Sequence, residues 1–383
     1  MTLLLTNSLT EAQALFEREV AIVESLADPA HLGQALANLA RCLWLRQDYS
    51  GAEALGRRAL AMERQCRPQQ ERRLVGSLNL LAQVYYSQGR YAQAEATARE
   101  ELALRRSMTG KDELGLAANL LMLGSISLIS GRLTEAEEWN QQALTLLEQH
   151  FGAGHPAMAR GWCALGLVYA AQQQYGKAEQ LLRRAAERWS ATYGPEHPDT
   201  LAATIALGGV YYNETRLDEA ENILRPALAR CERVLGGRNA QTAIAITNLA
   251  AVEQAKKRYD VAASLYRRAL EMEETDSRTE TLSTARILNN LARTYCADGR
   301  LEEAEPLYQR SVNIIERILG PGNPDLAVVL SNYSMLLRKG HRKQEARRLE
   351  ARVHNLQTDL KMNLSEQRID WHALQKQTKS RNR

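Results

Sequence analysis

The amino-acid sequence predicts an all-α fold, a right-handed α-solenoid (superhelix) of eight stacked helical hairpins with an N-terminal capping helix. Three observations predict it. One alanine recurs every 42 residues, as Ala52, Ala94, Ala136, Ala178, Ala220, Ala262, Ala304 and Ala346. A leucine 13 residues upstream recurs in step, as Leu39, Leu81, Leu123, Leu165, Leu207, Leu249 and Leu291, with Tyr333 last. The residue after it is always small, reading Ala40, Ala82, Gly124, Gly166, Gly208, Ala250, Ala292 and Ser334. Self-similarity at a fixed period of this length marks a repeat architecture.

Within each repeat the leucine series defines a helix A. Leu36, Leu78, Leu120, Trp162, Thr204, Ile246, Leu288 and Leu330 stand three residues before it, and the small residue allows another backbone to cross closely. The alanine series defines a helix B. Tyr or Leu precedes the alanine by three in seven repeats, and a small residue follows by seven, as in Ala59, Ala143, Ala185, Ala227, Ala269 and Ser311. Spacings of three, four and seven share one helix face.

The A-to-B turns are short and often carry Gly-Arg, as in residues 87–91, 130–133 and 298–301. Glycine there accepts the left-handed geometry that ends a helix. Thr215 and Lys257 replace it in repeats five and six. In the longer B-to-A links, His155-Pro156, His197-Pro198 and Asn323-Pro324 place an acceptor at the N-cap and proline at the first helical position. Pro226 falls inside the fifth helix B, and Glu101 and Glu253 occupy positions elsewhere small or aromatic. One hairpin cannot bury its own apolar face, so such arrays are stabilised by stacking and need capped ends. Residues 1–29 are therefore read as the N-terminal cap, 30–358 as the solenoid, and 359–383 as a basic C-terminal helix or tail whose final residues are expected to be disordered. Trp371 and Leu374 are candidates to dock on the last repeat.

Composition narrows the function classes. Five cysteines, Cys42, Cys66, Cys163, Cys231 and Cys296, are odd in number, form no C-x-x-C pair and lie in apolar helical patterns, as reduced core thiols do. No signal-peptide pattern opens the chain and no apolar run reaches membrane-spanning length, so a cytoplasmic location without membrane contact is expected. The net charge of +4 is too small to demand a polyanionic partner. Basic residues do gather near the C-terminus, from Arg338 to Arg352, but Glu345 and Glu350 accompany them and no aromatics interleave for base stacking. A solubilising cap is preferred to nucleic-acid binding. No metal-ligand pattern, phosphate loop or nucleophile motif is present, and capping accounts for His155 and His197 because the same slot holds Asn239 and Asn323. The reading is of a non-enzyme without catalytic residues, cofactor or metal.

Trp162, Leu165, Gly166 and Tyr169, followed by Ala178 and Ala185, resemble the tetratricopeptide repeat. The longer period, with NNLARTY and GRLEEAEPLYQRS in residues 289–311 and YGPEHPDTLA in 193–202, is similar to the kinesin light chain type. No coiled coil of the kind that binds kinesin heavy chain precedes the repeats, so motor attachment does not carry over.

Candidate binding residues lie on the helix A face opposite the packing stripe. In repeat seven that face reads Arg286, Asn289, Asn290 and Arg293. Asparagine costs a helix interior about 0.6 kcal/mol relative to alanine, and its amide can serve both donor and acceptor of an extended peptide. The resemblance implies that asparagines here hold ligand main chain while basic neighbours take acidic groups. Asn38, Asn248, Asn290 and Asn332 share one repeat position, Asn79 and Asn289 lie one residue earlier, and Arg41 corresponds to Arg293. With Gln83 and Tyr212 these residues form the candidate groove, the alternative being a solvated helix face. Leu121, Met122, Leu128 and Leu167 are candidates for its apolar floor if they are exposed. The expected function is a protein-protein interaction scaffold or adaptor binding a peptide or partner protein in the concave groove, an acidic ligand being one option. The alternatives are a ligand-responsive regulatory sensor acting on a separate effector protein and, less favoured, nucleic-acid binding through the basic end. Nothing in the sequence fixes the oligomeric state.

Overall fold

The computed structural model describes residues 2–26, 29–65, 71–108, 112–236, 239–276, 280–323 and 326–358, and these form helices and connecting turns with no strand among them. They divide into two compact units, Met1–Glu214 and Thr215–Arg383. Cys66, Pro324 and the tail 359–383 with Trp371 and Leu374 lie outside the described residues.

In the first unit α1 (Thr2–Ser25) packs on α2 (Pro29–Leu45). Hairpins α2/α3 (Tyr49–Gln65), α4 (Glu71–Ser87)/α5 (Tyr91–Ser107), α6 (Glu113–Ile129)/α7 (Leu133–Phe151) and α8 (Met158–Ala171)/α9 (Tyr175–Tyr193) then stack in order, ending with α10 (Pro198–Asn213). The second unit begins with α11 (Leu217–Val234). It continues through the hairpins α12 (Ala240–Ala255)/α13 (Tyr259–Asp276) and α14 (Leu282–Ala297)/α15 (Leu301–Leu319), and ends with α16 (Leu326–Lys339) followed by α17 (343–358). Even-numbered helices from α2 onward are A helices, and odd-numbered ones from α3 are B helices.

The alanine series occupies the tightest contacts. All eight alanines from Ala52 to Ala346 are 0% exposed. Beside the second series, a β-carbon added to Gly124 would stand 2.1 Å from Asn140 Oδ1, and one on Gly166 would stand 2.9 Å from Leu182 Cγ. The polar helix α17 has two buried apolar residues among those described, Ala346 and Leu356.

Each A-to-B turn contains a left-handed residue whether or not it is glycine. Gly89, Gly131 and Gly299 have φ of 73°, 75° and 86°, and Gln47, Gln173, Thr215, Lys257 and His341 adopt 65°, 61°, 60°, 62° and 60° at the equivalent positions. The turn thus imposes on five side-chain-bearing residues a conformation costing about 1–2 kcal/mol outside glycine. Thr215 is the most strained because it is β-branched. Thr215→Gly is expected to stabilise the protein by about 1 kcal/mol, less the entropy glycine loses on folding, and a higher urea midpoint at unchanged slope would register it.

The caps follow expectation in part. His197 Nδ1 accepts from the Asp199 amide at 3.3 Å and Asn239 Oδ1 from the Gln241 amide at 2.8 Å, each at a helix N-cap. His155 makes the same contact with the Ala157 amide at 3.2 Å, but a turn intervenes and α8 starts only at Met158. Helix α11 continues through Pro226, and α15 likewise through Pro306.

The arginine after the turn ties one repeat to the one before. Arg132 reaches Glu95 at 2.6 Å and Arg342 reaches Glu305 at 2.7 Å, while Arg90 pairs with Glu53. In the second unit the same device gathers Lys256, Arg225 and Arg258 around Glu221 at 2.6, 2.6 and 3.1 Å, holding its carboxyl down to about 2 from an ordinary 4.5. A depressed carboxyl contributes stability that is complete above its unfolded value and is lost as pH falls through its folded value. Glu221→Gln should therefore cost on the order of 1 kcal/mol at pH 7, after allowance for screening. Thermal melts of the two proteins should converge as pH falls from about 4.5 toward 2.

The two aberrant glutamates are built into this scheme. Glu253 stands where Tyr85, Tyr169, Tyr211 and Tyr295 stand in other repeats. It is 0% exposed and bonds Arg225 at 2.6 Å and Arg258 at 2.9 Å. In the first unit the equivalent tyrosine hydroxyls bond Arg57 at 3.0 Å and Arg183 at 2.6 Å, so Glu253 replaces a phenol with a carboxylate facing the same cation. Glu101 is also 0% exposed, held by Arg105 at 2.7 Å and Asn119 at 2.8 Å.

Candidate functional site

The candidate residues lie on the A-helix face opposite the packing stripe. In the second unit, helix periodicity on α14 brings Arg286, Asn290 and Arg293 to that face, with Arg286 exposed and the other two half-buried. The neighbouring A helices flank them with apolar groups. Ile244 on α12 is 53% exposed, and Val328 and Met335 on α16 are 62% and 52% exposed. These three were not singled out by sequence because Ile, Val and Met read as core. The available signal was position, since Ile244 and Val328 occupy the repeat position of Arg286, and Met335 that of Arg293.

Arg293 Nη2 donates to Gln254 Oε1 at 3.1 Å, orienting the guanidinium across α12 and α14. Its Nε is buried and lacks a hydrogen-bond partner among the described residues. Asn290 accepts the Thr294 hydroxyl through its main-chain carbonyl at 2.9 Å, so its side-chain amide is not consumed by that bond. Asn289, expected on the face, is instead 7% exposed, and its Oδ1 accepts from Asn332 Nδ2 at 3.0 Å. One residue along a helix is a rotation of about 100°, enough to move Asn289 into the α14/α16 seam. There it fixes Asn332, which remains half-buried. Asn248 is half-buried on α12 and already engaged by a protein group.

The first unit treats its candidates differently. Asn38 is half-buried and accepts from Gln34 Nε2 at 3.1 Å, while Arg41 is exposed. Asn79 donates to both Glu101 oxygens at 3.3 Å and accepts from Gln83 at 2.6 Å, so this pair is tied to the buried carboxylate. Leu121 is 6% exposed and belongs to the core, whereas Leu167 is 40% exposed. Met122, Leu128 and Tyr212 are half-buried. The first unit's face therefore has an apolar middle carried by Leu167 and Met122.

Burial raises the cysteine thiols among the described residues. Cys42, Cys231 and Cys296 are buried thiols, and burial pushes Cys163 up to about 12 and Cys231 up to about 11. Among the described residues no group of three or more His, Cys, Asp or Glu is placed to hold a metal, and no helix is long and apolar enough to cross a membrane. The basic C-terminal end is largely paired, with Arg338 on Glu350 at 2.6 Å, Arg342 on Glu305 and Glu345, Arg352 on Glu316 and Lys339 on the Cys296 carbonyl.

The tetratricopeptide repeat family model matches residues 74–149, 157–215, 201–275 and 283–359. The chain belongs to the tetratricopeptide repeat family. No curated protein matches it. Among solved tetratricopeptide-like structures, a putative kinesin light chain with nearly identical repeats from Podosopora anserina is 24% identical, covering 54% of this chain and 98% of that one, with a TM-score of 0.47. Aspartyl phosphate phosphatase F from Bacillus subtilis is 13% identical over 91% of this chain and 90% of that one, TM-score 0.58. NprR in complex with its cognate peptide NprX is 13% identical over 84% and 88%, TM-score 0.58. The latter two likenesses place the tetratricopeptide repeats of this chain in a shared helical-repeat fold.

Proposed function

We propose that this protein is a non-enzymatic scaffold or adaptor, acting in the cytoplasm, that holds an acidic peptide segment of a partner on the A-helix face of its second unit. The observation that carries the reading is the triad Arg286, Asn290 and Arg293 on one helix face, flanked by exposed Ile244, Val328 and Met335. Cations can take ligand carboxylates, the asparagine amide can bond peptide backbone, and the apolar flanks can accept intervening side chains. The NprR structure agrees with peptide binding on this fold, but the reading rests on these side chains.

Selection of the intact chain against a random peptide display library tests it. Enriched peptides should combine two or more acidic residues with an apolar residue, and bind in titration calorimetry with affinity that falls as salt rises. Enrichment of basic or wholly apolar peptides would count against it.

A further inference from the structure

A second recess, independent of that face, lies in the first unit between α2 and α4. It is a cavity of about 210 Å3 whose lining includes Gln34, Arg41, Glu63, Arg72, Arg73 and Ser77. At roughly 30 Å3 per water molecule, it has room for a small ligand group.

The unusual member is Glu63. It is 1% exposed, and neither carboxylate oxygen has a hydrogen-bond partner among the described residues. The Ser77 hydroxyl is likewise buried and unpartnered there. Burial pushes the Glu63 carboxyl above its usual range; the nearby Ser77 hydroxyl, which approaches it without reaching full hydrogen-bond geometry, and the Arg73 charge oppose this only in part. Leaving such a group unsatisfied is expensive, so its retention needs a reason.

The repeats supply an internal control. At the same repeat position stand Leu147, Trp189, Cys231 and Ile315, all buried and uncharged, so packing alone calls for no carboxylate, and Arg105, the one cation of the series, is paired with Glu101 at 2.7 Å. Glu273 is the other glutamate in the series, and it is satisfied locally by the Thr281 hydroxyl at 3.2 Å and the Ser283 hydroxyl at 2.9 Å. Glu63 has the carboxylate without these donors.

We propose that the recess receives a primary ammonium group of a peptide, bound by Glu63, Ser77 and Gln34, with Arg41 and Arg72 at its rim receiving an adjacent ligand carboxylate. An ammonium offers three donors to converging acceptors. Glu63 supplies two oxygens, Ser77 one, and Gln34 retains its Oε1 while its Nε2 is spent on Asn38. Both rim arginines are exposed, so a neighbouring carboxylate can reach them without burying unpaired charge. The ammonium can come from a free chain N-terminus or from a lysine.

The probes are fluorescent octapeptide mixtures rich in Asp and Glu, titrated against the intact chain and Glu63→Gln. One has a free N-terminus and no lysine, a second is N-acetylated with one lysine, a third is N-acetylated with one arginine, and a fourth is N-acetylated with no basic residue. At least one of the first two should bind about tenfold more tightly than the fourth, and which one does so identifies the ammonium source. That preference should vanish in Glu63→Gln, whose melting temperature should be equal or higher because a buried unpaired carboxylate has been removed. Should the glutamine variant fail to fold, Glu63→Met takes its place. The proposal is overturned by equal binding of all mixtures, by a preference for the arginine mixture, or by an ammonium preference that survives in the variant. The second-unit triad is unaltered throughout, so failure here leaves the reading of that face standing.

Discussion

Replacing Arg286, Asn290 and Arg293 together with alanine is expected to weaken ligand binding about a hundredfold while leaving the fold in place. Charge-assisted bonds and a backbone-directed amide lost from one site amount to about 3 kcal/mol, since each such bond is worth roughly 0.5–3, and every 1.4 kcal/mol is tenfold in affinity. Arg286 is exposed and the other two are half-buried, so little packing is lost. Among the described residues the side chains of these three positions make one hydrogen bond to another residue, that of Arg293 to Gln254, and its loss should cost stability no more than about 1 kcal/mol. Titration calorimetry of a selected acidic peptide, beside thermal melts of both proteins, separates the two effects. A binding loss matched by an equal loss of stability would show that the triad is structural.

Arg105→Met should destabilise the protein by about 3 kcal/mol at pH 7.5, the largest effect expected of any single substitution considered. Glu101 is 0% exposed and bonds Arg105 at 2.7 Å, Asn119 at 2.8 Å and Asn79 at 3.3 Å, while Arg105 also reaches Asp112 at 2.6 Å. Removing one partner of a buried pair leaves an uncompensated charge, whereas replacing both is far milder. Burial already raises the Glu101 carboxyl, and Arg105 is the largest influence opposing it. In the variant the carboxyl must rise further. A raised folded value costs stability above it, and that cost shrinks as pH falls toward the ordinary 4.5. The deficit should thus be larger at pH 8 than at pH 5.5. Adding Glu101→Ala, which installs the residue found at Ala59, Ala143, Ala185, Ala227 and Ala269, should restore part of the stability. Urea denaturation of the single and double variants checks both points.

Much of this molecule was legible because repetition turns packing into a pattern. The alanine ladder named eight of the most buried positions. The turns were legible as positions but not as residues. Thr215 and Lys257 looked like departures, yet both adopt the left-handed geometry of Gly89, because ending helix A at that point requires it whatever residue fills the turn. Glu101 and Glu253 were visible as anomalies, but their meaning was not. Arg105 completes Glu101 from one turn along the same helix, whereas Asn119 and Arg225 carry no mark of their own in the sequence and become partners only through the stacking of neighbouring hairpins. Asn290 and Asn289 differ by one residue in sequence and by a face in structure, a distinction that helix phase decides and composition does not. Glu63 went unnoticed because its repeat position holds Arg105 and Glu273 as well as apolar residues, so a charge there breaks no visible rule.

The central claim, that the α12/α14/α16 face holds the partner, is tested most directly by placing a photo-crosslinking amino acid at position 290 and, separately, at the exposed Ser264 on the B helix α13. Each protein is irradiated with a selected acidic peptide. The account predicts a covalent adduct from position 290, suppressed by excess unlabelled peptide, and none above background from position 264. Adducts forming equally at both positions, or at 264 alone, would contradict it.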